Sequence, residues 1–266
     1  VTRVGRSFPR GLAPLAVLAG LFLLAPLAGL LARVPWADLL ERLASDAVLD
    51  ALVLSLQSSL AAALLVVVLG LPLAAWLASG RSSLRAVVRV LVTLPMVLPP
   101  VVGGVALLLA FGRSGLVGEP LARLFGVQFT FAFAGVVVAA TYVALPFFVL
   151  TAESGLRGLD ARLPTVAATL GASPWRVFTR VTLPAVAPAL GAGLVLAWAR
   201  ALGEFGATIT FAGNLEGATR TMPLAVHTAL ESDPEAAIVL SLLMVAVSAG
   251  LLFALRRRWF VGATTR

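Results

Sequence analysis

Charge is missing from six long stretches of this sequence, and their spacing restricts the fold more than any other feature. Leu12 to Ala32, Ala51 to Ser79, Val90 to Phe111, Phe129 to Thr151, Val181 to Ala199 and Ala236 to Leu255 contain no Asp, Glu, Lys or Arg. An ionised side chain at bilayer depth is costly, whereas about 20 apolar residues suffice to cross the hydrocarbon as a helix. The pattern predicts an all-α, polytopic membrane protein in a single domain over 1–266. Its six transmembrane helices are expected at about 12–32, 51–79, 90–111, 129–151, 181–211 and 236–255, the fifth extended past Ala199. The stretch Thr221 to Leu230 is too short to span. With 60% hydrophobic and only 12% charged residues, a soluble domain of this size has no core able to hide its apolar side chains, so the lipid bilayer is its first partner.

The basic residues are 20 Arg and no Lys, giving a formal charge of +8. They are scattered between apolar runs rather than gathered on one polar face, which argues for membrane orientation and against a nucleic-acid partner. With the N-terminus inside, the inner segments hold fourteen Arg: Arg3, Arg6, Arg10, Arg81, Arg85, Arg89, Arg157, Arg162, Arg176, Arg180, Arg256, Arg257, Arg258 and Arg266. The outer segments hold five, Arg33, Arg42, Arg113, Arg123 and Arg220, and Arg200 falls inside a span. The positive-inside bias predicts both termini in the cytoplasm and an even number of spans. Arg3, Arg6 and Arg10 ahead of an apolar run resemble a secretory signal, but the run is long enough to span, so a retained first helix is expected.

Cys is absent and His227 is the sole histidine, so no disulfide, thiolate site or metal cluster is expected. Without Lys, the chain has no phosphate-contacting lysine of a P-loop. It is expected to be non-catalytic and to bind no cofactor of its own.

Pro95, Pro99 and Pro100 remove backbone donors from the third helix and should kink it, while Gly103 and Gly104 allow a neighbour to approach. The connection 153–184 has helix punctuation of its own. Pro164 suits a first helical position, Val166, Ala167 and Leu170 follow at helical spacing, and Gly171 suits the position past a helix end. A short helix over Pro164 to Leu170 is predicted. Ser173 and Pro174 then form an N-cap and first-turn pair opening a second helix, with Trp175, Phe178 and Val181 on one side. Such a knob suits either insertion into a cleft of another protein or a position at the lipid interface.

The run Thr165-Val166-Ala167, then Gly171, then Val181-Thr182-Leu183-Pro184 resembles the EAA loop of type I ABC importer permeases, with its spacing kept throughout. That resemblance implies a coupling helix that docks in a groove of a cytoplasmic ATPase. The implied docking residues are Pro164, Thr165, Val166, Ala167, Ala168, Leu170, Gly171, Ala172, Ser173, Pro174, Trp175 and Arg176. Thr165 stands where the family pattern has Glu, which puts a carboxylate contact at that point in doubt.

Two further stretches, Leu94 to Gly103 followed by Phe111 to Gly115, and Ala199 to Thr208 followed by Phe211 to Asn214, resemble permeases for molybdate and, less closely, sulfate and tungstate. The similarity covers about Leu52 to Leu251. It implies a homodimer, two ABC ATPase subunits that bind ATP and Mg, and an extracytoplasmic oxyanion-binding protein meeting the outer loops around 33–50, 113–128 and 213–235. A bacterial or archaeal plasma (inner) membrane is the implied location. Arg200 and Glu204, four residues apart, share one helix face as an intrahelical pair or as part of the pathway, for which Pro95, Pro99, Pro100, Arg200, Glu204 and Phe205 are the candidates.

Two readings from other classes compete. An ion-coupled secondary transporter could use Arg200 and Glu204. An intramembrane serine protease could use Gly112-Arg113-Ser114-Gly115 with His227, although Ser114 and His227 are both expected in outer loops.

Overall fold

The computed structural model describes residues 10–260, with side chains described for 11–253. Arg3, Arg6 and Arg266, and the side chains of Arg10 and of Arg256 to Arg258, lie outside the described residues. Among the described residues every regular element is helical: α1 Ala13–Ala32, α2 Leu39–Leu43, α3 Asp46–Ala78, α4 Ser83–Val97, α5 Pro100–Phe111, α6 Gly118–Phe125, α7 Phe133–Arg157, α8 Arg162–Thr169, α9 Pro174–Val177, α10 Leu183–Leu202, α11 Gly206–Phe211, α12 Met222–Ser232 and α13 Pro234–Phe260. A π-helical turn, Phe178–Thr182, joins α9 to α10 without a break, so one helix runs over Pro174–Leu202. This helix, α1, α3, α7 and α13 are each long and apolar enough to cross a bilayer, and the pair α4 and α5 makes a sixth crossing if taken as one bent span.

The core is the seam of α3, α7 and α10. Lipid is as apolar as leucine, so burial alone does not drive helices together in a bilayer, and close packing of small residues must do it. Ala62, Ala74, Ala140, Ala144, Ala152 and Ala197 fill this seam with Phe148 and Val149 between them. A Cβ on Gly193 of α10 would lie 3.0 Å from the Thr151 Cβ of α7, so the bare backbone is what admits the contact. Buried hydroxyls add direction. Ser59 accepts from the Trp198 indole N–H at 3.0 Å, and Ser55 accepts from the Met222 N–H at 2.7 Å, tying α10 and the start of α12 to α3. By contrast, α1 is apolar all round with no buried residue and touches α13, the surface expected of a helix solvated by lipid.

The expected third span is corrected. It starts earlier, at Ser83, and is two helices bent by 119° at Leu98-Pro99. Pro99 and Pro100 supply no N–H, and a residue before proline is pushed into extended backbone, which Leu98 adopts at φ −64°, ψ 136°. The fifth span is also corrected: it breaks at Gly203-Glu204-Phe205, and α11 follows as a separate helix. The fourth extends to Arg157, so the connection assigned to 153–184 begins at Gly158. His227, expected in a loop, lies on α12.

At the opposite end of the bundle from α8, α2 is pinned to the α12–α13 corner. Arg42 pairs with Asp233 at 2.9 Å and Glu235 at 2.7 Å, and Asp233 also accepts from the Ala236 N–H at 3.1 Å, capping α13 ahead of Pro234. That N–H first, and then Arg42, hold the Asp233 carboxyl below its ordinary range. A lowered folded pKa means that the stabilisation is present above the unfolded carboxylate range and is lost as pH falls through the folded value. The melting-temperature gap between wild type and Asp233→Asn should therefore be constant from pH 6 to 8 and close only in acid below about pH 4. A gap that varies across neutrality would count against this assignment.

Candidate functional site

The loop expected from the sequence to dock is assembled by local chemistry. α8 opens at Arg162 rather than Pro164, because the Asp160 carboxylate accepts from the Arg162 N–H at 2.9 Å; Pro164 then sits in the first turn, where a missing N–H costs nothing. The helix ends on Gly171, whose φ of +84° lies in the left-handed region open to glycine. The Gly171 N–H reaches the Ala168 carbonyl at 3.0 Å and the Ala172 N–H reaches Ala167 at 3.1 Å, satisfying the last turn. Ser173 Oγ then accepts from the Arg176 N–H at 3.4 Å and Pro174 takes the first position of α9.

These turns bring the sequence-derived docking residues onto one compact projection. Val166 is 57% exposed, Leu170 83% and Trp175 73%, values that leave three large apolar side chains uncovered at the end of the bundle. The Trp175 and Phe178 rings lie 6.1 Å apart, so the knob is rooted on the π-turn that leads into α10. Thr165 Oγ1 donates to the Ala161 carbonyl at 2.7 Å and presents no acidic group.

Behind the knob lies an ion network that sequence reasoning missed. Glu153, buried near the end of α7, receives Arg157 from the same helix at 2.8 Å and Arg89 from α4 at 2.5 Å. Arg157 also donates to the Leu77 carbonyl at the end of α3, at 2.8 Å. Three helix ends are thereby locked beneath the loop. The available signal was the Glu153/Arg157 spacing of four at a span end.

The pathway candidates converge in part. Arg200 pairs with Glu204 at 2.7 Å, but Glu204 lies past the end of α10 rather than within a continuous helix. Its Oε1 accepts from the Ala207 N–H at 2.7 Å, so the same carboxylate caps α11. The second corner meets the first: α11 packs against α5, and a Cβ on Gly206 would stand 2.5 Å from that of Pro100. Pro99, Pro100, Glu204 and Phe205 thus cluster around two backbone corners, with Arg200 one turn away and Pro95 inside α4. The Phe205 ring lies 5.0 Å from His227. Ser114 instead lines a cleft with Arg113 and Thr130, and among the described residues no hydrogen bond joins it to His227, so the structure assembles no Ser–His pair.

Two substitutions separate the roles of Glu204. Glu204→Gln keeps an acceptor for the Ala207 N–H and should leave the melting temperature within a few degrees. Glu204→Ala removes cap and counter-charge together and should cost about 2 kcal/mol or more. Equal melting temperatures for the two variants would remove the capping role.

The profile of the family described as "Binding-protein-dependent transport system inner membrane component" matches residues 67–261. The chain is 50% identical over 167 residues to the molybdenum transport system permease protein ModB of Mycobacterium tuberculosis, a stretch that spans 63% of this chain and 63% of that one. It is 41% identical over 160 residues to the corresponding protein of Escherichia coli, covering 60% of this chain and 70% of that one. A bacterial ABC transporter involved in the import of the acidic polysaccharide alginate shares the fold at a TM-score of 0.71 and 20% identity, over 96% of this chain and 94% of that one. With five apolar spanning helices among the described residues and a bent pair that makes a sixth if taken as one, a punctuated loop after α7, and a profile covering most of its length, the chain belongs to the family of binding-protein-dependent transport system inner membrane components.

Proposed function

We propose that this chain is the membrane-spanning permease subunit of an ATP-driven importer for a tetrahedral oxyanion, molybdate in the first place, with tungstate and sulfate as the alternatives. The observation that carries the reading is the 50% and 41% identity to two molybdenum permease proteins. The exposed Val166, Leu170 and Trp175 support the coupling role, because a large uncovered apolar patch held on a capped loop marks a protein contact. Two copies of the chain line the pathway, two ATPase subunits holding ATP and Mg dock on residues Pro164 to Arg176, and an extracytoplasmic binding protein delivers the anion to the opposite face. The docking loop and both termini face the cytoplasm of a plasma (inner) membrane, an orientation that the fourteen-to-five Arg distribution supports. Arg200, neutralised by Glu204, gives a passing oxyanion a weak rather than a tight site, as suits a conduit that must release what it admits.

The test is uptake into vesicles holding the complex of permease, ATPase and binding protein. Molybdate should accumulate only with ATP, tungstate should compete best, and sulfate should compete weakly. Accumulation driven by an ion gradient in vesicles lacking the ATPase would overturn the reading.

A further inference from the structure

A cavity of about 690 Å³ lies between the docking loop and the bundle. Arg81, Arg157 and Ser79 line it together with apolar side chains that include Ala78, Leu156 and Phe178, and Pro164 of α8 forms part of its wall. We infer that this cavity holds the phosphate head group of an anionic phospholipid, which braces the docking loop against the ends of α3 and α7. The inference goes beyond transport and uses the proposed orientation only to place the cavity at the inner leaflet.

Charge supplies the first argument. The Arg81 side chain has no ion-pair partner among the described residues, and no acidic side chain lines the cavity. Behind it, Arg89 and Arg157 share the single carboxylate of Glu153, while Asp160, which accepts from the Arg162 N–H, lies between the lining residues Leu159 and Ala161 in sequence without lining the cavity itself. Arg81, Arg89 and Arg157 against Glu153 and Asp160 leave an excess of one positive charge, and the cavity wall itself holds two guanidiniums and no carboxylate. Arg157 spends Nε on Glu153 and Nη2 on the Leu77 carbonyl, leaving Nη1 without a hydrogen bond among the described residues. A phosphate accepts from two guanidinium forks at once, and Arg suits it better than a point charge does.

Shape and depth supply the second. The cavity opens where three apolar helices meet the basic belt, the level at which head groups sit, and basic pockets at this depth take anionic head groups. Its apolar wall suits a glycerol backbone and the start of an acyl chain, which a free phosphate lacks. The ATPase is the wrong occupant, because the exposed Val166, Leu170 and Trp175 that would meet it do not line the cavity.

The experiment uses purified full-length permease in nanodiscs of phosphatidylcholine with phosphatidylglycerol, followed by native mass spectrometry. Wild type should keep phosphatidylglycerol through delipidation, and Arg81→Gln should keep at least ten times less. Arg180→Gln, which removes an exposed charge from the same end but outside the cavity, should keep as much as wild type. Equal retention by Arg81→Gln, or equal losses in both variants, would overturn the assignment. So would displacement of the lipid by millimolar inorganic phosphate, which would make the occupant a free anion. In the complex with its ATPase, phosphatidylglycerol should raise ATP turnover at least twofold in wild type and not in Arg81→Gln. A fall in Arg81→Gln that is equal in phosphatidylcholine alone and in the mixture with phosphatidylglycerol would assign Arg81 to the ATPase instead. Lipid retention needs neither ATPase nor oxyanion, so its failure is distinguishable from failure of the proposed function.

Discussion

Trp175→Ala is expected to weaken ATPase docking about 30-fold and to reduce ATP-dependent uptake in proportion, while the permease itself melts at an unchanged temperature. Trp175 is 73% exposed in the isolated chain, so its removal leaves the bundle's packing intact. In the proposed docked state the same indole would be a large rigid anchor in the partner's surface, the type of residue that dominates interface energetics at about 2 kcal/mol or more. Gly171→Val should act on the same step through the backbone, because a β-branched residue resists the +84° φ that ends α8 and turns the chain into α9. Binding of the ATPase to permease in nanodiscs reads both effects. Undiminished affinity in Trp175→Ala would show that the knob is not the contact.

The second large effect belongs to Glu153. Replacing it with Ala strands Arg89 and Arg157 without a counter-charge at the ends of three packed helices. Breaking one side of a buried ion pair costs about 3–5 kcal/mol. The lower figure applies, since the Arg89 and Arg157 side chains remain 36% and 32% exposed. For a chain of this length a loss of about 3 kcal/mol lowers the melting temperature by roughly 6–12 °C. The double variant Arg89→Met/Glu153→Met should recover part of that loss, because an apolar pair carries no desolvation penalty. A fall of under 2 °C in Glu153→Ala, or no recovery in the double variant, would reduce the triad to surface electrostatics.

Features set by neighbours in sequence were legible. Gly171, Ser173 and Pro174 fix the docking loop through caps and turns that operate over a few residues, and the structure reproduces that punctuation with α8 opening two residues early. Apolar length located the spans, but the uncharged interval ended at Glu153 and so hid the last turn of α7. That turn is held by the local Glu153–Arg157 pair and by a non-local partner that the sequence does not announce: Arg89 arrives from α4, 64 positions away. The prolines announced a kink without its 119° angle, because a missing N–H removes a hydrogen bond but does not choose a direction. The break after Leu202 was masked by its apolar surroundings. Its one local sign was Glu204 placed three residues before the Ala207 N–H that it caps.

The glycine contacts between α5 and α11 have a mechanical outcome. Thr210 lies so near Gly104 that a Cβ there would sit 2.6 Å from it, and Gly206 abuts Pro100 with equal intimacy. Two short helices in such close contact form one packed unit set between two backbone corners, one at Leu98-Pro99 and the other at Gly203 to Phe205, so a displacement of either helix should carry the other with it. A chemical staple between the two helices should leave that shared displacement free, whereas a staple across either corner should block it.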